Sequence, residues 1–329
     1  MSNLRKRILQ IDLMQGYAMT LVVLGHHLFT FLPAWYKDMH TYIYLFHMPF
    51  FMFISGFLIH YSYKGVSDIH EYISYIKRKA RKFVPPFLII GFIITCLRHY
   101  NEVYIIPSML LQLLIEPLNS DATFLWYIYL LFLFYILSPL LFRISTKWLW
   151  GGLILAIILR FNPPGTDLFC LDYFFELSPF YLLGVLVSVY IDRIGILLNK
   201  WRCIGALALV VFIVLSVLYF RNEVKFLSYY ILPWISIPAF AYLVWVIGKL
   251  TCVRVFLTFI SYNCFGIYLL HLFFVQGFAL LVSRWSGITY TGVAVTYLIL
   301  SSIISMILAA ICWKRLENFK WNVVSSQRK

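Results

Sequence analysis

Four ionisable side chains interrupt apolar stretches of this sequence: Asp12, His26, His47 and His271. In apolar surroundings such groups are costly, and they mark either chemistry or tightly hydrogen-bonded packing. A neutral imidazole is the natural general base near neutral pH. His26 lies fourteen residues beyond Asp12, roughly 21 Å along a helix axis at 1.5 Å per residue. With Asp12 near the inner face of a membrane, His26 falls in the outer half. His47 sits about six residues into the next apolar stretch, which descends from the outer face. The two imidazoles therefore share a depth on successive antiparallel helices. Either alone reads as a packing histidine; the matched pair reads better as chemistry. His271 is near the middle of its span and reads first as structural. His27, about 100° around the helix from His26, and His60, near the inner end of its span, are weaker candidates.

The second chemical feature is the run Tyr75-Ile76-Lys77-Arg78-Lys79-Ala80-Arg81-Lys82, which leads into Pro85-Pro86. One reading is an anchor for anionic lipid headgroups. The sharper reading is a dock for a polyanionic ligand, since Arg meets phosphate oxygens in bidentate geometry. A phosphate-rich donor held there could extend a long arm, of the order of a pantetheine, toward His26 and His47.

The elements that position these groups follow from composition. The chain has 329 residues, 62% of them hydrophobic and 12% charged, with a mean hydropathy of +0.85. Soluble domains carry about 25% charged residues, so a soluble enzyme, a disordered tail and a disulfide-stapled module are excluded. The apolar stretches also run far past the ~10-residue segments of a membrane β-barrel. An all-α polytopic membrane protein remains. Ten spans are expected, at roughly 12–33, 41–63, 84–98, 124–142, 148–161, 173–191, 203–220, 228–247, 258–282 and 291–313. Pro85-Pro86 would fall in the first turn of the third.

Charge supports this count. With the N-terminus inside, most of the 27 Lys and Arg fall in cytoplasmic segments: Arg5 to Arg7, Lys64 to Lys82, Arg143, Lys147, Arg193 to Arg202, Lys249, Arg254 and Lys314 to Lys329. Both termini are expected in the cytoplasm. The net charge of +14 is scattered between spans and does not form a nucleic-acid-binding face, so no nucleic acid is expected as partner. Membrane lipids are. No small-x-small cleavage site follows Arg5-Lys6-Arg7. No loop is long enough for an attached soluble domain, so residues 1–329 are expected to form a single membrane domain. The six cysteines show no metal-ligand spacing and read as packing residues. Trp35, Tyr36 and Tyr42 could stack a sugar near His47, although an interfacial aromatic belt is the first reading.

At these residues the chain resembles the family 3 membrane acyltransferases, with the closest likeness to their sugar O-acetylase branch, similar to fucose O-acetylases. Three stretches carry the resemblance: Ile11-Asp12-Leu13-Met14-Gln15-Gly16-Tyr17-Ala18 followed by Leu24-Gly25-His26; Leu45-Phe46-His47-Met48-Pro49-Phe50-Phe51 through Ser55-Gly56-Phe57; and the basic run into Pro85-Pro86. Phe124-Leu125-Trp126-Tyr127 and Gly266-Ile267-Tyr268-Leu269-Leu270-His271 match more weakly.

The resemblance implies transfer of an acyl group, usually acetyl, from cytoplasmic acyl-coenzyme A to a hydroxyl of a glycan or glycolipid. Acyl-coenzyme A would act as co-substrate, with no tightly bound cofactor and no metal. His26 matches the family's essential histidine and would deprotonate the acceptor or carry the acyl group briefly. His47 would support or share that role. Lys77, Arg78, Lys79, Arg81 and Lys82 would hold the donor's phosphates, with Asp12, Ser55 and His271 supporting. A bacterial cytoplasmic membrane is the implied location.

One position departs from the family pattern. Gln15 stands where an Arg or Lys usually precedes the histidine, so the donor-binding role implied for it rests on hydrogen bonding without charge. Asp12 is then expected to sit near water or pair with the basic run. The main rival from another class is a transporter or flippase for an envelope glycan or small anion, although no internal repeat of the usual transporter kind is visible. A non-catalytic scaffold of an envelope assembly is a third reading.

Overall fold

A computed structural model describes residues 7–27, 29–63, 65–191, 198–284 and 290–326. Of the charge pattern, Arg5, Lys6, Lys64, Arg193, Arg328 and Lys329 lie outside them. The protein is 84% helix, with no strand among the described residues. In chain order the helices are α1 Leu9–Gly25, α2 Ala34–Tyr44, α3 His47–Tyr61, α4 Ile69–Arg98, α5 Ile106–Ile115, α6 Trp126–Leu141, α7 Thr146–Arg160, α8 Leu171–Val189, α9 Leu198–Phe220, α10 Lys225–Ile247, α11 Thr251–Tyr262, α12 Cys264–Val282 and α13 Thr291–Ser326. Eight segments among the described residues are long and apolar enough to cross a membrane. Their outward side chains, such as Leu88, Ile89, Phe92 and Ile93 on α4, are exposed apolar groups that a bilayer would cover.

Several boundaries differ from expectation. The first apolar stretch ends as a helix at Gly25, with His26 as its C-cap, and Pro33 starts the next helix. The stretch 258–282 is two helices, because Asn263 leaves helical geometry and donates its side-chain amide to the Phe259 carbonyl at 2.8 Å. The third stretch does not begin at Pro85-Pro86. Helix α4 starts sixteen residues earlier and runs through both prolines. Its start is secured independently: the Asp68 carboxylate accepts from the Glu71 backbone N–H at 2.8 Å, and the Glu71 carboxylate accepts from the Ser67 backbone N–H at 2.7 Å. The Glu71 N–H holds the Asp68 carboxyl below the usual carboxylate range. With a firm cap and a long run behind it, the helix tolerates the donors the prolines lack.

The chain divides into two compact units, residues 1–51 with 197–329 and residues 52–196. In the first, α1 is the hub, packing on α2, α10, α11, α12 and α13. Its burial on nearly every side explains why its sequence shows no polar face. At Gly16 a Cβ would overlap the Leu257 carbonyl, so α1 and α11 meet backbone to backbone. In the second unit α4 packs on α5 and α6, and α7 packs on α8. Gly56 and Gly184 let the 52–61 part of α3 and α8 touch reciprocally: a Cβ at either would strike the other helix's backbone, at Tyr181 or Phe53.

Candidate functional site

His26 owes its geometry to the end of α1. Its backbone N–H turns to the Val23 carbonyl at 3.1 Å, and its own ring Nδ1 reaches the Val22 carbonyl at 2.7 Å. A helix C-terminus offers such unpaired carbonyls. A carbonyl can only accept, so Nδ1 carries the proton and Nε2 of the neutral ring keeps its lone pair. His47 repeats the device at the α2–α3 junction, where Nδ1 donates to the Ile43 carbonyl at 2.9 Å. In His271, Nδ1 meets the Ile267 and Tyr268 carbonyls, both at 2.9 Å. All three imidazoles are thus oriented, with Nε2 as the basic atom, by backbone carbonyls three or four residues earlier.

Accessibility separates them. His26 is half-buried, whereas His27, His47 and His271 are 0%, 1% and 0% exposed. The ring of His271 meets that of His26 edge to face, with centroids 4.9 Å apart. His27 turns elsewhere and bonds the Ser301 hydroxyl through Nε2 at 2.8 Å. The His47 ring meets that of Tyr44 at a tilt, with centroids 4.5 Å apart, and Tyr44 meets His40 likewise at 4.2 Å. The Tyr44 ring also lies against Gly25, where a Cβ would come within 3.0 Å of its Cε2. Tyr44 is 43% exposed, beside the backbone that carries His26. The sequence reading missed Tyr44, although the spacing His40, Tyr44, His47 places all three on one helix face.

The rings considered for sugar stacking, Trp35, Tyr36 and Tyr42, form neither a platform nor a belt. Tyr36 and Tyr42 are buried, with hydroxyls on the Leu24 carbonyl and Ser216. Trp35 packs on the cluster of Leu32, Tyr36, Ala294 and Leu298. These rings pack into the core, and the two tyrosine hydroxyls find partners inside it.

Asp12 is buried and pairs with Arg7. Arg7 grips its carboxylate through Nε at 3.0 Å and Nη2 at 2.7 Å. The same guanidinium reaches the Ser261 hydroxyl at 3.4 Å and lies 3.8 Å over the Tyr262 ring. Ser261 in turn donates to the Gln15 side-chain oxygen at 2.8 Å. Arg7, five positions before Asp12, supplies the countercharge that Gln15 lacks.

In the second unit the basic run lies on α4. Lys77, Arg78, Arg81 and Lys82 are exposed and fall within about 140° of arc at 3.6 residues per turn. Lys79 turns inward, its ammonium 4.0 Å from the Tyr135 ring centre. Arg78 also lines an open groove of about 680 Å³ with Gly65, Val66, Ser67, Glu71 and Ser74. Arg143 holds the lip of that groove through the Val66 and Ser67 carbonyls, each at 2.9 Å. Ser55 is buried and hydrogen-bonded to the Tyr127 hydroxyl.

Comparison with known proteins adds to this geometry. A family model described as an acyltransferase domain matches residues 8–313. Among curated proteins, the nodulation protein NolL of Mesorhizobium japonicum is 28% identical over 217 residues, covering 63% of this chain and 55% of that relative. The matched region thus spans about half the length of that relative. No solved structure matches.

Proposed function

Because the chain belongs to the acyltransferase family that this match describes, we propose that it is a membrane-bound O-acyltransferase. It moves an acyl group, most simply acetyl, from cytoplasmic acyl-coenzyme A to a hydroxyl of an envelope glycan or glycolipid. The observation that carries this reading is His26, a half-buried imidazole whose Nδ1 is committed to Val22 and whose Nε2 is a base.

Nε2 of His26 takes the proton of the acceptor hydroxyl as its oxygen attacks the thioester carbonyl. The C–S bond then breaks, and the imidazolium returns the proton to the departing thiolate, giving ester and free coenzyme A. His271, edge-on to His26, holds the ring in place. His47 fixes Tyr44, which faces the acceptor. Lys77, Arg78, Arg81 and Lys82 form the phosphate-binding face for the donor, while Lys79 anchors α4 to Tyr135. Gln15 and Asp12 act with Arg7 and Ser261 as one network at the start of α1, and Ser55 supports through Tyr127. Acyl-coenzyme A is a co-substrate, and no resident cofactor or metal is invoked.

The whole chain works as one domain of ten spans in a bacterial cytoplasmic membrane, with both termini inside. The excess of Lys and Arg in the segments assigned to the cytoplasm supports that orientation.

The direct test follows radiolabelled acetyl from acetyl-coenzyme A into lipid and glycan fractions of vesicles bearing wild type or His26→Ala. Label in the wild-type fractions alone is the expected result. Equal label in both removes His26 from the chemistry. No label in either, with folded protein and acceptor present, favours the transporter reading.

A further inference from the structure

We infer that the outer face of the α12–α13 pair holds one acyl chain of an anionic phospholipid, with the lipid phosphate on Arg315. An open groove of about 620 Å³ runs there between Leu270, Phe273 and Phe274 of α12 and Cys312, Arg315 and Leu316 of α13. Apart from Arg315 its walls are hydrocarbon, aromatic rings and a thiol. An apolar trough with a single cation is the shape and charge complement of a lipid tail carrying an anionic head.

The direction of the groove agrees. Val282 ends α12 and Thr291 begins α13, a connection too short to join parallel helices, so the two run antiparallel. A Cβ at Gly266 on α12 would strike Trp313 on α13, which puts those positions at one level. Arg315 therefore lies at the end of the groove near Gly266. Leu270 to Phe274 extend away from it, roughly 6 Å along α12 at 1.5 Å per residue. The cation sits at the mouth, and the apolar wall continues toward the middle of the hydrophobic segment. Arg315 enters none of the ion pairs formed among the described residues, so its charge is open to an anion from outside the chain.

The site is separate from the acyl-transfer chemistry. His271 follows Leu270 directly, yet its ring is fully buried and points to His26, while Leu270 faces the groove.

Cys312 supplies a reporter. It is half-buried in the groove, and the exposed Cys203 on α9 serves as an internal control. The full chain is placed in nanodiscs of phosphatidylcholine with or without phosphatidylglycerol. Alkylation of both thiols by a lipid-soluble maleimide is then followed by peptide mass spectrometry. Phosphatidylglycerol should slow Cys312 about fivefold relative to Cys203, the factor expected for one cation at an anionic headgroup. The protection should fade with added salt and disappear in Arg315→Gln. Soluble glycerol 3-phosphate should give none. Leu270→Trp, which fills the trough, should remove the lipid dependence while Cys203 reacts as before. An unchanged Cys312 rate with phosphatidylglycerol, or full protection persisting in Arg315→Gln, overturns the inference.

Discussion

The rings of His26 and His271 meet edge to face at 4.9 Å, joining the end of α1 to the middle of α12. One ring is half-buried and the other fully enclosed. In the proposed mechanism that asymmetry assigns the reaction to His26 and the supporting role to His271. His26→Ala is expected to lower transfer about 10²–10⁴-fold, the range of a positioned general base, with donor binding intact. His271→Phe keeps a ring beside His26 but loses the carbonyl bonds. It should cost about tenfold in kcat, the scale of groups that orient a functional imidazole. A His271 variant as inactive as His26→Ala would make His271 a direct participant.

Tyr44 should set acceptor affinity. Tyr44→Ala is expected to raise the acceptor KM while leaving the donor KM alone. Gly25→Val should do the same from the other side, since its side chain would push the Tyr44 ring away. Kinetics with each substrate varied in turn would read this. A shift in donor KM alone would place Tyr44 on the wrong substrate.

The basic run divides by direction. Arg78→Ala and Arg81→Ala should each raise donor KM about tenfold, from the ~1.5 kcal/mol lower figure for hydrogen bonds to charged groups, with a smaller effect at high salt. Lys79→Ala should leave donor KM unchanged and lower thermal stability by about 1 kcal/mol, the scale of a part-buried cation–π contact. A donor defect in Lys79→Ala would show that this ammonium leaves Tyr135 for the coenzyme.

The Arg7–Asp12 pair should be asymmetric. Arg7→Ala strands a carboxylate that is 7% exposed, whereas Arg7 itself is 46% exposed. Uncompensated buried charges cost more than lost exposed ones. Discounted for that exposure, Arg7→Ala should destabilise by about 1–2 kcal/mol and Asp12→Asn by less. Melting of both variants and of the double variant in detergent would measure it. A more damaging Asp12→Asn would mean that the guanidinium, not the carboxylate, depends on the pair.

Much of this was legible along the chain. Apolar length and scarce charge dictate membrane helices, because a bilayer leaves the backbone no other hydrogen-bond partner. Ionisable residues inside apolar stretches mark Asp12, His26, His47 and His271 for the same energetic reason. The exposed cations of α4 follow from helical periodicity alone. What lay beyond reach depends on which helices touch. Arg7 meets Ser261 across 254 positions of sequence, and no local pattern announces such a contact. Likewise, nothing local turns Lys79 onto Tyr135, buries Tyr36 and Tyr42 while leaving Tyr44 open, or brings His271 to His26. Sequence alone determined the class of protein and the candidate groups, because solvation energy acts residue by residue. Only the tertiary structure decided their partners and their exposure, because those depend on how close two backbones can approach.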